Sequence, residues 1–253
     1  MITLKTPSWE INNIDTVLFD KDGTLIDLHH FWGEMTKLRS EAIIDYYKLP
    51  LSSKETICNI LGYNINDKKM LPDGITAMYS RSKIIEFLNK DLINLGIKTS
   101  ENILEKIFDD VSNIFYKNIH EHTKPINSAL DFVVKLYNRG IKMGIVTSDS
   151  LISTNMTIKQ FEWDKYFTVA VGRETSKLTK ESGALTKIAL KTLNANPENT
   201  LMIGDAPMDH VSAQNAGIKH SILVATGQIN KQELAKVSNF TVNNLSEINL
   251  IYM

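Results

Sequence analysis

Two closely spaced aspartates, Asp20 and Asp22, are the residues of this chain best suited to chemistry. They lie in Asp20-Lys21-Asp22-Gly23-Thr24, directly after the apolar run Val17-Leu18-Phe19, which predicts a short buried strand. Carboxylates one residue apart at a strand end project to the same side, and the pair is costly unless a cation separates them or one is protonated. The pattern favours metal-assisted phosphoryl transfer, in which one aspartate attacks and the other handles the proton.

Polar side chains also follow two further strand-like runs. Thr147-Ser148-Asp149 follows Lys142–Val146, and Asp205 and Asp209 follow Leu201–Ile203. Ligands of an open parallel sheet bind at the carboxyl ends of its strands. We therefore expect these side chains to gather with the first two aspartates at one edge of a sheet.

Each residue type has a task in phosphoryl transfer. Mg²⁺ prefers oxygen ligands, so one or two carboxylates and a phosphate oxygen suffice to hold it. A hydroxyl of Thr147 or Ser148 can donate to a phosphate oxygen near a helix N-terminus, and Lys177 or Lys180 can supply a cation. Taken singly, each has an ordinary explanation, such as a helix cap or a solvated lysine. Because all of these residues lie near strand ends, a shared phosphoryl-transfer site is the better explanation.

The spacing of apolar residues predicts an α/β fold. From about Pro125 onward, short apolar runs alternate with helical patterns, which is typical of a doubly wound, Rossmann-like parallel sheet. The first strand, Thr16–Phe19, belongs to the same sheet, whereas residues 28–123 have helical spacing, as in Phe31, Met35 and Leu38. We predict an α/β core of residues 1–27 and 124–253, with an inserted all-helical module of residues 28–123.

Composition narrows the class of protein. The net charge of −1 gives no indication of a nucleic-acid partner, and no run approaches the roughly 18 apolar residues of a membrane span. Cys58 is the single cysteine, which excludes an intramolecular disulfide, and the first residues lack the apolar core of a signal peptide. We predict a cytoplasmic protein, either a monomer or a homodimer, that binds neither nucleic acid nor membrane.

The motifs resemble those of the haloacid dehalogenase-like superfamily, and specifically its phosphatases with a helical C1-type cap, similar to phosphoglycolate phosphatases. Asp20 to Asp27 resembles the first motif, Ile145 to Ser148 the second, and Gly204 to Asp209 the fourth. The third departs from the usual Lys-Pro, because Lys180 is followed by Glu181. Lys180 lies twenty-five residues before Asp205, the common spacing in the family, which favours it over Lys177.

The resemblance implies a Mg²⁺-dependent phosphatase acting on a small phosphorylated metabolite, such as a phosphoglycolate-like compound or a sugar phosphate. Asp20 would form an aspartyl-phosphate, and Asp22 would act as acid and then as base. The implied metal site contains Asp20, the Asp22 backbone carbonyl, Asp205 and Asp209. The implied catalytic and substrate-binding residues, besides the two aspartates of the first motif, are Gly23, Thr24, Thr147, Ser148 and Lys180. Lys21 is expected to point away from the aspartates and to be structural.

Two alternatives stay open. A phosphomutase similar to beta-phosphoglucomutase would carry the same core motifs, and a non-catalytic binding or regulatory module is possible on any such fold. Residues of the cap are expected to set specificity, and the candidates by residue type are His29, His30, Trp32, Lys37, Arg39, Tyr79 and Arg81.

Overall fold

The computed structural model describes residues 1–252 and divides the chain into two units. One contains Met1–Asp27 and the chain from Pro125 onward, and the other contains Leu28–Lys124. The strands are, in chain order, β1 (Ile2–Lys5), β2 (Glu10–Ile14), β3 (Thr16–Phe19), β4 (Tyr63–Asn64), β5 (Lys69–Met70), β6 (Lys142–Val146), β7 (Val169–Val171), β8 (Thr200–Gly204), β9 (His220–Val224), β10 (Thr241–Val242) and β11 (Asn249–Tyr252).

The helices lie in both units. They are α1 (Leu28–Tyr47), α2 (Ser53–Ile60), α3 (Ile75–Met78), α4 (Arg81–Asn94), α5 (Glu101–Lys117), α6 (Ile119–His122), α7 (Asn127–Tyr137), α8 (Leu151–Gln160), α9 (Ala184–Leu193), α10 (Pro207–Asn215) and α11 (Lys231–Leu234). Among residues 1–252, no helix has both the length and the apolar character needed to cross a membrane.

A six-stranded parallel sheet forms the centre of the first unit, in the order β10-β9-β8-β3-β6-β7. All residues of β3 and β8 are buried, because these strands lie inside the sheet and helices cover both faces. Burial on both faces explains why the sequences of β3 and β8 are almost entirely apolar. The predicted doubly wound α/β core is confirmed.

A second, antiparallel sheet in the order β11-β1-β2 was not predicted. It pairs the first strand of the chain with the last, so that Leu4 lies opposite Leu250. Strands of four or five residues give a weak periodic signal, and nothing local in the sequence indicates a partner at the other end of the chain.

The second unit is helical with one exception. In α5 the buried face contains Leu104, Phe108 and Phe115, and the Phe115 ring packs edge-on against Phe31 of α1 at 5.0 Å. The prediction of an all-helical unit needs correction, because β4 and β5 form a two-stranded antiparallel sheet. Two residues per strand are too few for an alternating pattern to appear in the sequence. The division also places Lys124 with this unit, one residue beyond the predicted boundary.

Leu18 offers a test of the sheet as the core of the first unit. It is fully buried in β3, in a cluster with Val146, Val171 and Met202. We expect Leu18→Ala to lower the free energy of unfolding by about 2–5 kcal/mol, because a cavity replaces the lost side chain. Urea denaturation would measure it. Ile152→Ala in α8, where the side chain is 70% exposed, is the control and should change stability by less than about 0.5 kcal/mol. Equal effects of the two variants would contradict this account.

Candidate active site at the carboxyl edge of the parallel sheet

Three neighbouring strands end in polar residues at the same edge of the sheet. Phe19 is in register with Ile145 on β6 and with Ile203 on β8. Asp20 therefore follows this level by one residue, and Thr147 and Asp205 follow it by two on the neighbouring strands. The Asp20 backbone N–H donates to the Ile203 carbonyl at 2.8 Å, which fixes the carboxylate at the sheet edge. The convergence expected from parallel strands is therefore present.

The chain turns sharply after Asp20. Gly23 has a φ of 85°, and its N–H donates to the Ile26 carbonyl at 2.8 Å. A Cβ at Gly23 would also collide with the Asp205 carboxylate. The turn therefore needs glycine both for its backbone conformation and for the close approach of the neighbouring loop.

A third loop, which the sequence analysis did not include, supports this turn. The Thr226 hydroxyl donates to the Gly23 carbonyl at 2.5 Å, and a Cβ at Gly227 would collide with Asp205. Both residues follow β9, and this position after a strand is the feature of the sequence that could have indicated them. They shape the space around Asp205.

Lys180, and not Lys177, lies beside Asp20. Its side chain is 2% exposed, and its Nζ is 2.5 Å from Asp20 Oδ1 and 2.6 Å from Asp209 Oδ1. Lys177 is exposed. The loop that follows Lys180 is held without the usual proline, because Asn215 Nδ2 donates to the Glu181 carbonyl at 2.7 Å. These geometries match the spacing argument for Lys180.

Three buried carboxylates gather at this edge. One oxygen from each of Asp20, Asp205 and Asp209 lies within 4.8 Å of the others. Asp209 Oδ2 also accepts from the Ala206 N–H at 3.1 Å, which orients its side chain at the start of α10. All donors are oxygens, and Gly23 leaves room beside Asp205, so the residues present fit a hard divalent cation. The Asp22 carboxylate is not a member of this cluster.

Burial sets the ionisation of these carboxylates. Burial, together with the neighbouring charges of Asp209 and Asp22, raises the pKa of Asp20 to about 7 against the opposing charge of Lys180. Burial likewise raises the pKa of Asp205 well above its usual range, with Asp20 and Asp209 adding to the effect. Asp20 and Asp205 therefore bind protons more readily than ordinary carboxylates do, and a metal ion beside them would favour their ionised form.

Lys21 does not point away from the aspartates, so this expectation was wrong. Its side chain is fully buried, with Nζ 2.7 Å from Asp22 Oδ1 and 2.8 Å from Asp149 Oδ2. Burial alone would lower the pKa of Lys21, but the carboxylates of Asp149 and Asp22 raise it above its ordinary value. Side chains alternate only within a strand, and β3 ends at Phe19, so alternation does not apply here.

The polar segment after β6 has distinct roles. Thr147 is buried, and its Oγ1 accepts from the Asp149 N–H at 3.0 Å. Ser148 is exposed, with its hydroxyl 3.4 Å from Met208 Sδ. Ser150, which the sequence analysis did not consider, caps α8 by accepting from the Ser153 N–H at 3.1 Å. Thr147 and Ser148 are therefore not the helix caps.

Most specificity candidates of the second unit have partners there. Arg39 is buried, with its guanidinium 4.2 Å from the Phe108 ring centroid. The polar contacts of the others are His29 with the Met70 N–H, His30 with the Glu121 carbonyl, Lys37 with Glu34, and Arg81 with Glu105 and Asp109. Tyr79 is 47% exposed and packs on Phe87, and Trp32 packs on Phe31.

Known proteins resemble this chain in sequence. The family model of haloacid dehalogenase-like hydrolases matches residues 17–224. A protein of Caldanaerobacter subterraneus subsp. tengcongensis, provisionally assigned as pyrophosphatase PpaX, is 30% identical over 209 residues, covering 81% of this chain and 80% of that protein. Pyrophosphatase PpaX of Bacillus cereus is 28% identical over 206 residues, covering 81% of each chain.

Solved structures share the fold. A provisionally assigned beta-phosphoglucomutase from Thermotoga maritima has a TM-score of 0.70 at 20% identity and covers 92% of this chain and 96% of its own. A provisionally assigned phosphoglycolate phosphatase from Haemophilus somnus has a TM-score of 0.70 at 15% identity, with 94% and 97% covered. The family match spans most of the chain, and it confirms the resemblance found in the motifs. The chain belongs to the haloacid dehalogenase-like hydrolases and is a phosphatase-type enzyme of that family.

Proposed function

We propose that this protein is a Mg²⁺-dependent phosphatase that hydrolyses a small phosphorylated metabolite through an aspartyl-phosphate on Asp20. The observation that carries the proposal is the position of Asp20 at the end of β3. There its carboxylate lies 2.5 Å from a buried lysine and within 4.8 Å of two further carboxylates. A nucleophile needs such a fixed position, and phosphoryl transfer needs charge balance around it.

The residues divide the reaction into two steps. In the first, an Asp20 oxygen bonds to phosphorus as the bond from phosphorus to the leaving oxygen breaks, and Asp22 gives that oxygen its proton. In the second, water attacks phosphorus and gives a proton to Asp22, and the bond to Asp20 breaks. Inorganic phosphate leaves, and both aspartates return to their initial state.

The cation site is proposed to contain Asp20, the Asp22 backbone carbonyl, Asp205 and Asp209. Mg²⁺ bound there would offset the negative charge of the carboxylates and of the transferring group. Lys180 holds the Asp20 carboxylate in place and supplies a positive charge to the phosphoryl oxygens. We assign Thr147, Ser148 and the turn at Gly23 and Thr24 to phosphate binding, because each follows a strand at this edge.

We further propose that residues 28–123 are a cap that chooses the substrate. The relatives named pyrophosphatase add inorganic pyrophosphate to phosphoglycolate and sugar phosphates as candidates. A phosphate leaving group and an alcohol leaving group both require the same attack by Asp20. Purified protein should therefore be screened with these three classes, with nucleotides and with an aryl phosphate.

Asp20→Asn tests the proposed nucleophile. Wild-type protein should release phosphate from at least one compound of the panel when Mg²⁺ is present and not when EDTA is present. Asp20→Asn should lose this activity by several orders of magnitude while its circular dichroism stays unchanged, because an amide cannot replace the attacking carboxylate. Asp131→Asn, an exposed change in α7, is the matched control. Substantial phosphate release by Asp20→Asn would refute the assignment, and transfer to a sugar instead of water would favour the mutase.

Lys180→Met and Lys177→Met compare the two candidate lysines. Removing Lys180 leaves the Asp20 and Asp209 carboxylates buried without their cation, so we expect kcat to fall and the inhibition constant of inorganic phosphate to rise. The loss of a buried ion pair should also cost about 3–5 kcal/mol in urea denaturation. Lys177→Met should resemble wild type in all three measurements, since its side chain is exposed. Similar behaviour of the two variants would remove Lys180 from the site.

The stability of the metal-free protein should depend on pH. The folded-state pKa of Asp20, about 7, lies above its unfolded value, and that of Asp205 is raised as well. Their contribution to stability is therefore fully present below about pH 4 and is lost as pH rises through about 7. In EDTA, Tm should fall between about pH 5 and about pH 8, and added Mg²⁺ should raise Tm more at the higher pH. A Mg²⁺ effect that is equal at both pH values would contradict the cluster as the cation site.

A further inference from the structure

Lys21, Asp22 and Asp149 form a buried charge triad beside the carboxylate cluster. The Lys21 side chain is 0% exposed, that of Asp149 is 4% exposed and that of Asp22 is 12% exposed. A single ammonium contacts both carboxylates, at 2.7 Å and 2.8 Å. Moving three charged groups out of water is costly, and a buried pair adds little stability compared with apolar residues of the same volume. A contribution to folding stability therefore does not explain the triad.

Hydrogen bonds from its own loop and from the segment after β7 hold Asp149 in place. Its Oδ1 accepts from the Ser150 N–H at 2.7 Å, and its backbone carbonyl accepts from the Arg173 N–H at 3.0 Å. Its N–H donates to Thr147 Oγ1. The loop after β6 thus fixes the Asp149 carboxylate, and this carboxylate fixes the end of the long, flexible Lys21 side chain.

The two carboxylate oxygens of Asp22 differ in their hydrogen bonds. Oδ1 accepts from Lys21 Nζ, whereas within residues 1–252 no hydrogen bond holds Oδ2. A carboxyl group that exchanges protons with a substrate needs one oxygen held and the other available. Misplacement of a reacting group by about 1 Å can lower the rate on the order of 10²-fold.

We propose that Lys21 is a positioning residue for Asp22, and that Asp149 is the counter-charge that holds Lys21 in place. Lys21 fixes Asp22 through Oδ1 and leaves Oδ2 for the proton that goes to the leaving oxygen. This inference rests on the proposed role of Asp22 as general acid. It connects the loop after β6 with the proton-transfer step, and it explains why a charged residue stands between the two aspartates.

The dependence of rate on the leaving group tests this role. Phenyl phosphate and para-nitrophenyl phosphate have similar shapes, but phenolate needs a proton on leaving much more than nitrophenolate does. Lys21→Met should lower kcat/KM for phenyl phosphate at least about tenfold more than for para-nitrophenyl phosphate, because misplacement of the acid affects the substrate that needs it. Asp22→Asn is the reference and should show the same selectivity more strongly. A residue that only supports the fold would affect both substrates alike.

The double variant Lys21→Met/Asp149→Asn separates positioning from stability. It removes both charges of a pair with little change of shape. The amide that replaces the Asp149 carboxylate keeps an oxygen for the Ser150 N–H, so the double variant should fold even where Lys21→Met does not. We expect normal urea denaturation and a persistent selective loss with phenyl phosphate. Lys231→Met/Glu247→Gln, which removes a half-exposed pair in the same unit, should leave both rates unchanged.

The outcomes distinguish the two proposals. A uniform loss with both substrates in Lys21→Met, or recovery of activity in the double variant, would overturn the positioning role while Asp22 stays the acid. A uniform loss in Asp22→Asn would instead refute the proposed acid, and the role of Lys21 would fall with it. Absence of turnover by the wild-type protein would overturn both.

Discussion

The balance of buried charge at one edge of the sheet is the constraint on which the rest of the site depends. Two buried lysines, Lys21 and Lys180, face the carboxylates of Asp20, Asp22, Asp149, Asp205 and Asp209. Burial opposes the ionised form of Asp20, Asp22, Asp149 and Asp205, and the nearby lysine charge favours it. Five carboxylates face two lysines, so a further cation at this edge would offset the excess negative charge.

The two lysines divide the charged side chains of this edge into two groups. Lys180 contacts Asp20 and Asp209, the proposed nucleophile and a proposed cation ligand. Lys21 contacts Asp149 and Asp22, and Asp22 is the proposed proton donor. Asp20 and Asp22 are separated by a single residue, yet each contacts a different lysine.

The loops approach closely because several positions lack a side chain. A Cβ at Gly204 would collide with the Asp209 carboxylate, and one at Gly23 or Gly227 would collide with Asp205. The carboxylates therefore lie against backbone, where neighbouring side chains cannot displace them. Sequence reasoning found Gly23 and the Gly204-Asp205 turn from their motifs. It missed Gly227, because a single Thr-Gly pair after a strand is common in turns.

The α/β class, the parallel core and the strand-end positions of Asp20, Asp22 and Asp205 could be predicted from the sequence, because apolar runs and turn residues are local signals. The spacing between Lys180 and Asp205 also favoured Lys180 over Lys177. The contact between Lys180 and Asp20 became visible only in the folded structure. The terminal β11-β1-β2 sheet and the direction of Lys21 were decided by tertiary structure alone. Both depend on partners far along the chain: β11 lies at the other end of the sequence, and Asp149 comes from the loop after β6. Of the two carboxylates that Lys21 contacts, Asp22 is its neighbour in the sequence, and only folding brings Asp149 to it.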